Sequence, residues 1–147
     1  MDNIGSRFFP VRPGRVRGFV SGDAKVPYIA CADIGALVSI AFVSPRAFIG
    51  AEINAVGDFV SGFDVAELLS QLHGQRFRYS APPAWLMWMF AREFYTMRRL
   101  FEQYGRPPYP PQFAAYMNDT RRLWPDAMTM ERFLRQLQVE QPIMRHA

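Results

Sequence analysis

The spacing of apolar positions changes along this chain, and each change predicts an element. Val26-Pro27-Tyr28-Ile29-Ala30-Cys31 is a short apolar run rich in β-formers, which predicts a strand ending near Asp33. From there Ile34, Leu37, Val38 and Ala41 recur at three- and four-residue steps, the signature of one helical face, with Asp33 placed to cap its first turn and Ser44-Pro45 to stop it. The layout then repeats. Residues Glu52 to Val56 read as a strand, Ser61 as a cap with Asp64 three positions on, and Val65, Leu68, Leu69 and Leu72 as a second helix closed by Gly74 at the left-handed C′ position. Gln75 to Ser80 alternates Phe77 and Tyr79 against Arg76 and Arg78, which predicts a further strand.

Beyond Pro82-Pro83 the period becomes helical throughout. Leu86, Phe90, Phe94, Met97, Phe101 and Tyr104 share one side of a predicted helix from Ala84 to Tyr104. Its first half is apolar all round, since Trp85, Met87, Trp88 and Met89 leave no polar face, so this end must be buried, dock on a partner or cover a pocket. A Pro-rich linker from Arg106 to Pro111 leads to two shorter helices, Gln112 to Leu123 and Thr129 to Val139, the second capped by Thr129. Residues 1–25 mix Gly, Pro and Arg with isolated aromatics and read as irregular, with a short strand at Val16 to Val20. The expected fold class is therefore mixed α/β, dominated by helices, in one domain. Its parts are an irregular opening (1–25), a strand-helix-strand-helix-strand unit (26–80) and a helical part (81–147).

Composition agrees with a folded domain. Half of the 147 residues are hydrophobic, and 13 Phe, 6 Tyr and 3 Trp supply the buried area that offsets chain entropy. The lone Cys31 has no internal disulfide partner, and no apolar signal core follows a basic start, so a reducing cytoplasm is the expected location. The apolar run from Ala81 to Ala91 falls well short of the ~20 residues a membrane-spanning helix needs. The net charge of +4 comes almost wholly from arginine, Lys25 being the only lysine. The arginines fall in small groups (Arg12, Arg15 and Arg17; Arg98 and Arg99; Arg121 and Arg122; Arg132 and Arg135), read here as solvated faces, and no direct nucleic-acid contact is expected.

Candidate chemistry is sparse. A dinucleotide site of the Rossmann type needs a Gly-rich strand-to-helix turn whose amides meet the pyrophosphate, and Gly57 and Gly62 lack that spacing. No Tyr-x-x-x-Lys pair exists, because Ser21 stands four residues before Lys25. Cys31, His73 and His146 offer no zinc spacing, and a thiol in an apolar strand is expected to be an inert core group. His73 suits a helix C-terminus, Asp33 a cap, and Glu93 a solvated pairing with Arg92 or Arg98 or, as the alternative, a place in a pocket lined by Phe90 and Met97. The balance leans away from an enzyme.

Several stretches carry a resemblance. Lys25-Val26-Pro27-Tyr28-Ile29-Ala30-Cys31-Ala32-Asp33-Ile34-Gly35 is similar to a strand running into an Asp-Ile-Gly helix start in the NmrA-like family of atypical short-chain dehydrogenases. Pro45, Gly50, the Ile53 to Gly57 stretch, Ser61, Gly74 and Tyr79 follow in the family's order, and Arg121-Arg122-Leu123-Trp124-Pro125 with Thr129, Glu131 and Leu134 resembles its closing Pro and last helix. Met1-Asp2-Asn3 resembles the family's Met-Glu-Asn element, with Asp for Glu. The family includes NAD(P)-sensing transcriptional regulators and NAD(P)H-dependent reductases, and the resemblance spans its C-terminal, substrate-side half. It implies that Met1 is an internal methionine of a longer ancestral protein and that Met1, Asp2 and Asn3 lie near the cofactor. It further implies that Phe8, Phe9, Tyr28, Trp85 and Trp88 contribute to a substrate or partner pocket. NAD(P) is implied for the full-length form and none is expected for this chain alone. The expected partners are a second copy or a separate nucleotide-binding chain. The alternatives are a stand-alone interaction module and an NAD(P)H-dependent reductase.

Overall fold

A computed structural model describes residues 1–6 and 9–140, with side chains described to residue 137. Phe8 and His146, both considered above, lie outside the described residues. The chain runs β1 (Val11–Arg12), β2 (Arg15–Arg17), β3 (Lys25–Tyr28), α1 (Cys31–Val43), α2 (Pro45–Phe48), β4 (Asp58–Ser61), α3 (Gly62–His73), β5 (Arg78–Ser80), α4 (Ala84–Phe90), α5 (Arg92–Tyr104), α6 (Gln112–Leu123) and α7 (Met130–Glu140). The mixed, helix-dominated fold class stands.

Two small sheets flank α3. One has the order β1-β2-β5, antiparallel then parallel, with Val16 opposite both Val11 and Tyr79. The other pairs β3 with β4 antiparallel, Val26 opposite Val60. The opening segment is thus more regular than expected, carrying two strands in place of one at Val16 to Val20. Between the sheets α3 is fixed at both ends by local chemistry. Ser61 Oγ accepts from the Asp64 amide at 3.1 Å, the Asp64 carboxylate accepts from the Ser61 amide at 2.8 Å, and Gly74 takes a φ of 64°. This is the reciprocal cap read from the sequence. Val65, Ala66 and Leu69 on its buried face join Val16, Phe77, Met130 and Leu134 in the main core, together with Met1 and Ile4.

Four expectations need correction. The second strand is not Glu52 to Val56 but Asp58–Ser61. The Val56 amide donates to Thr120 Oγ1 at 2.9 Å, and strand-like pairing to Tyr28 begins only with the Gly57 amide, so residues 52–55 have no neighbouring strand to join. The first strand stops at Tyr28, and Cys31 opens α1 as an exposed residue, not a core thiol. Asp33 is not the cap of α1, because the helix starts two residues earlier. The Asp2 carboxylate takes the capping role from outside, accepting from the Cys31 amide at 2.9 Å. Asp33 is buried instead, accepting from Trp124 Nε1 at 3.1 Å and the Met128 amide at 2.8 Å, a strut between α1 and the turn before α7.

The fourth correction divides the long helix. At Ala91 the backbone (φ −147°, ψ 60°) leaves the helical region, and α4 folds back against α5. Arg98 holds the bend: one guanidinium nitrogen donates to the Pro82 carbonyl and another to Glu102, both at 2.6 Å. Only Met87 of α4 is buried. The stripe on α1 is also half open, for Leu37 is buried while Ile34 and Val38 are 44% and 47% exposed, and Phe42, Val43 and Ile49 stand largely in solvent. Among the described residues no helix is long and apolar enough to cross a membrane.

Candidate functional site

A cavity of about 290 Å³ lies between the opening segment, β2, β3 and α5. Its position follows from how Met1 to Ile4 are held. The Met1 nitrogen donates to the Ile29 carbonyl at 2.6 Å, Asp2 grips the Cys31 amide, and the Met1 and Ile4 side chains enter the core. Burial alone would raise the Asp2 carboxyl, but the hydrogen bonds from Cys31 outweigh it and hold the group below its ordinary value. The same contact, with the Asp2 charge, pushes the exposed Cys31 thiol up, which disfavours a reactive thiolate.

The walls are mostly apolar and aromatic. Phe9 packs against Phe19 with ring centroids 5.4 Å apart, and Phe19 meets Phe94 and Phe101 edge-on at 5.8 and 6.0 Å. Tyr79 closes the cavity from β5. Its hydroxyl donates to the Val20 carbonyl at 2.7 Å, and burial, reinforced by the nearby Tyr28, pushes its pKa up. The ring fits only because Gly18 and Gly62 lack side chains; a Cβ at either would collide with it. Tyr28 also lines the cavity and is kept protonated by burial, but its hydroxyl has no hydrogen-bond partner among the described residues. The Asn3 amide is likewise without a partner among them. An apolar chamber with a neutral phenol and a carboxamide can accept a small planar molecule and hydrogen-bond its carbonyl or amide.

The structure therefore brings Met1, Asn3, Phe9 and Tyr28 to one cavity, with Asp2 beside it as a clamp. It does not bring Trp85 and Trp88 there. They stand on the open side of α4, 62% and 57% exposed, because the break at Ala91 turns that helix away. Sequence reasoning missed Phe19, Tyr79, Met97 and Phe101 as lining residues. The alternation of Phe77 and Tyr79 placed Tyr79 on an inward face, but nothing in the sequence showed which glycines would receive its ring.

Neither the turn from β3 into α1 nor that from β4 into α3 suits the diphosphate of a dinucleotide. At α3 the Asp64 carboxylate sits in the first turn and the cap is reciprocal; at α1 Asp2 occupies the Cys31 amide and Asp33 lies in the first turn. Negative charge at both helix starts repels a phosphate where a dinucleotide fold would invite one. Among the described residues no group of acids, cysteines and histidines could hold a metal ion.

Fold and cavity together define a mixed α/β protein with an apolar cavity between its opening segment, small sheets and helices. The model of the NmrA-like family matches residues 9–134, and the chain belongs to that family. Solved structures agree on the fold. A crystal structure of NmrA, a negative transcriptional regulator, in complex with NAD superposes with a TM-score of 0.62 at 19% identity, covering 90% of this chain and 46% of that one. Its complex with NADP gives 0.60 at 19% identity, over 92% and 47%. The chain thus spans less than half the length of these relatives. No curated protein matches it.

Proposed function

We propose that this chain is the ligand- and partner-facing portion of an NmrA-like redox sensor or transcriptional regulator. It acts with a nucleotide-binding half that carries NAD(P), whether in one polypeptide or in a separate chain. The observation that carries this reading is the pairing of an apolar cavity, closed by the Met1 to Ile4 segment, with helix starts that carry carboxylates and refuse phosphate. Among the described residues the cavity offers a place for a small planar group, and the starts of α1 and α3 offer none for a diphosphate. In this reading Met1 and Asn3 meet the cofactor's nicotinamide end, Asp2 keeps them in place, and Phe9 and Tyr28 form the wall opposite. When bound, the nucleotide would supply hydride chemistry or report the cellular redox state. The residues of this chain orient the group and exclude water.

Mixing tests it. A nucleotide-binding half prepared from an NmrA-like protein, added to residues 1–147, should give a complex of defined size and tighten NADPH binding, with a loss on Asp2→Ala. If the two halves do not associate and NADPH affinity is unchanged, the reading is wrong.

A second reading has its own observation. Phe42, Val43 and Ile49 around α1 and α2, and Trp85, Trp88 and Phe90 on α4, form exposed apolar surface of a kind that soluble monomers limit. A stand-alone interaction module that self-associates through these faces would account for it. Sedimentation separates the two readings: a concentration-dependent dimer lost in Trp85→Ala/Trp88→Ala favours the module, and a monomer at all concentrations contradicts it.

A further inference from the structure

Arginines scattered in the sequence meet on the outer face of the three-stranded sheet. Arg12 stands directly opposite Arg15, and Arg15 directly opposite Arg78, so one row of three guanidinium side chains crosses β1, β2 and β5. Arg17 lies two residues beyond Arg15 and shares its face, beside Ser80. The opposite face of the same strands carries Val11, Val16 and Tyr79 into the core, which fixes the arginines outward. All four are exposed, and among the described residues none has an acid partner. With strands about 4.8 Å apart and about 6.6 Å between alternate residues, four cations occupy a patch roughly 10 by 7 Å. Like charges directly opposed across a ladder destabilise a sheet. The register adds Arg78 to the solvated group of Arg12, Arg15 and Arg17.

We propose that this face binds the phosphate backbone of a nucleic acid. Charge complementarity and the composition of the patch select that occupant. Protein interfaces deplete charge at their centre and place apolar or aromatic anchors there, whereas this patch has arginine at its centre and no large exposed apolar residue on its strands. Protein–nucleic acid interfaces are polar and strongly positive, and the planar guanidinium fork matches phosphate oxygens two at a time. Contacts of this kind confer affinity and orientation without reading base sequence. The row of Arg12, Arg15 and Arg78 lies outside the cavity, which Arg17 alone of the four also lines, and the proposal does not depend on the cofactor reading.

The test is fluorescence anisotropy of a labelled duplex DNA of arbitrary sequence with residues 1–147, repeated from about 50 to 200 mM salt. The wild-type chain should bind, with a slope of log affinity against log salt of about −3 to −4. Each of Arg12→Gln, Arg15→Gln and Arg78→Gln should reduce the slope by about 0.9, the triple variant by nearly 3, and Arg121→Gln on α6 not at all. The triple variant should melt no lower than wild type, because repulsion across the ladder is relieved. Arg78→Glu is a second probe: it pairs with Arg15 and supports the sheet while cutting DNA affinity. Absence of wild-type binding at 50 mM salt, or an unchanged slope in folded triple variant or in Arg78→Glu, overturns the proposal. So does equal affinity for poly-glutamate, which would make the face a site for acidic protein.

Discussion

Replacing Asp33 by serine separates two roles that give opposite results. As a helix cap, Asp33 would tolerate serine at little cost, since both side chains accept from first-turn amides. As a strut it would not. Asp33 is 4% exposed, and its carboxylate receives two hydrogen bonds, from Trp124 Nε1 at 3.1 Å and the Met128 amide at 2.8 Å, joining elements more than 90 residues apart. Serine is too short to reach both donors. Hydrogen bonds to a charged acceptor contribute about 1.5–3 kcal/mol each, and a buried donor left without a partner costs about 1–3 kcal/mol. Partial relaxation leaves about 3 kcal/mol for Asp33→Ser, and about 2 kcal/mol for Asp33→Asn, which keeps one acceptor and turns an NH₂ toward a donor. For a chain of this size about 1 kcal/mol moves the melting temperature by about 2–4 °C, so Asp33→Ser should melt roughly 6–12 °C below wild type. Thermal denaturation followed by circular dichroism at neutral pH reads this directly. A melting temperature within about 2 °C of wild type would refute the strut and restore the cap.

Other outcomes follow from the same geometry. Tyr79→Phe removes the hydroxyl bonded to the Val20 carbonyl and should cost about 1 kcal/mol in urea unfolding, while Tyr28→Phe, whose hydroxyl has no partner among the described residues, should stay within about 0.5 kcal/mol. Gly62→Ala puts a methyl group into the Tyr79 ring and should destabilise by about 1–3 kcal/mol, with Tyr79→Ala in the same chain relieving part of that strain. Asp23 is held down to about 2 by the Arg106 guanidinium, which binds it at 2.7 and 3.1 Å. A depressed acid stabilises the fold above its unfolded value and loses that contribution as pH falls toward about 2. The pair is exposed, so Arg106→Gln should remove at most about 1 kcal/mol at neutral pH and flatten the acid limb of the stability curve between about pH 4 and 2.

The elements that could be read from the sequence are those whose signals are local. The cap at Ser61 and Asp64, the Gly74 terminus and the extent of α6 depend on residues within a turn or two of one another. Asp33 was misread because it satisfies a local rule while its true partners, Trp124 and Met128, are remote. The strand at Glu52 to Val56 was misplaced for the converse reason: its residues favour strands, but its neighbour in space is the Thr120 hydroxyl. Apolar periodicity carried the long helix straight through Ala91, where the side-chain pattern has no break and the reach of Arg98 to Pro82 bends the chain. The site was legible in part. Met1, Asn3, Phe9 and Tyr28 share the cavity, but the pairing of Gly18 and Gly62 around Tyr79, and the register that aligns Arg12, Arg15 and Arg78, exist only once the strands are assembled.

We propose that this chain forms the ligand-facing portion of an NmrA-like protein and leaves the diphosphate of the cofactor to another half. Calorimetric titration of NADPH into residues 1–147 tests it most directly. The account predicts no saturable heat up to millimolar nucleotide, with no rise in melting temperature. Saturable binding at micromolar nucleotide, abolished by substitutions at the start of α1 or α3, would contradict it.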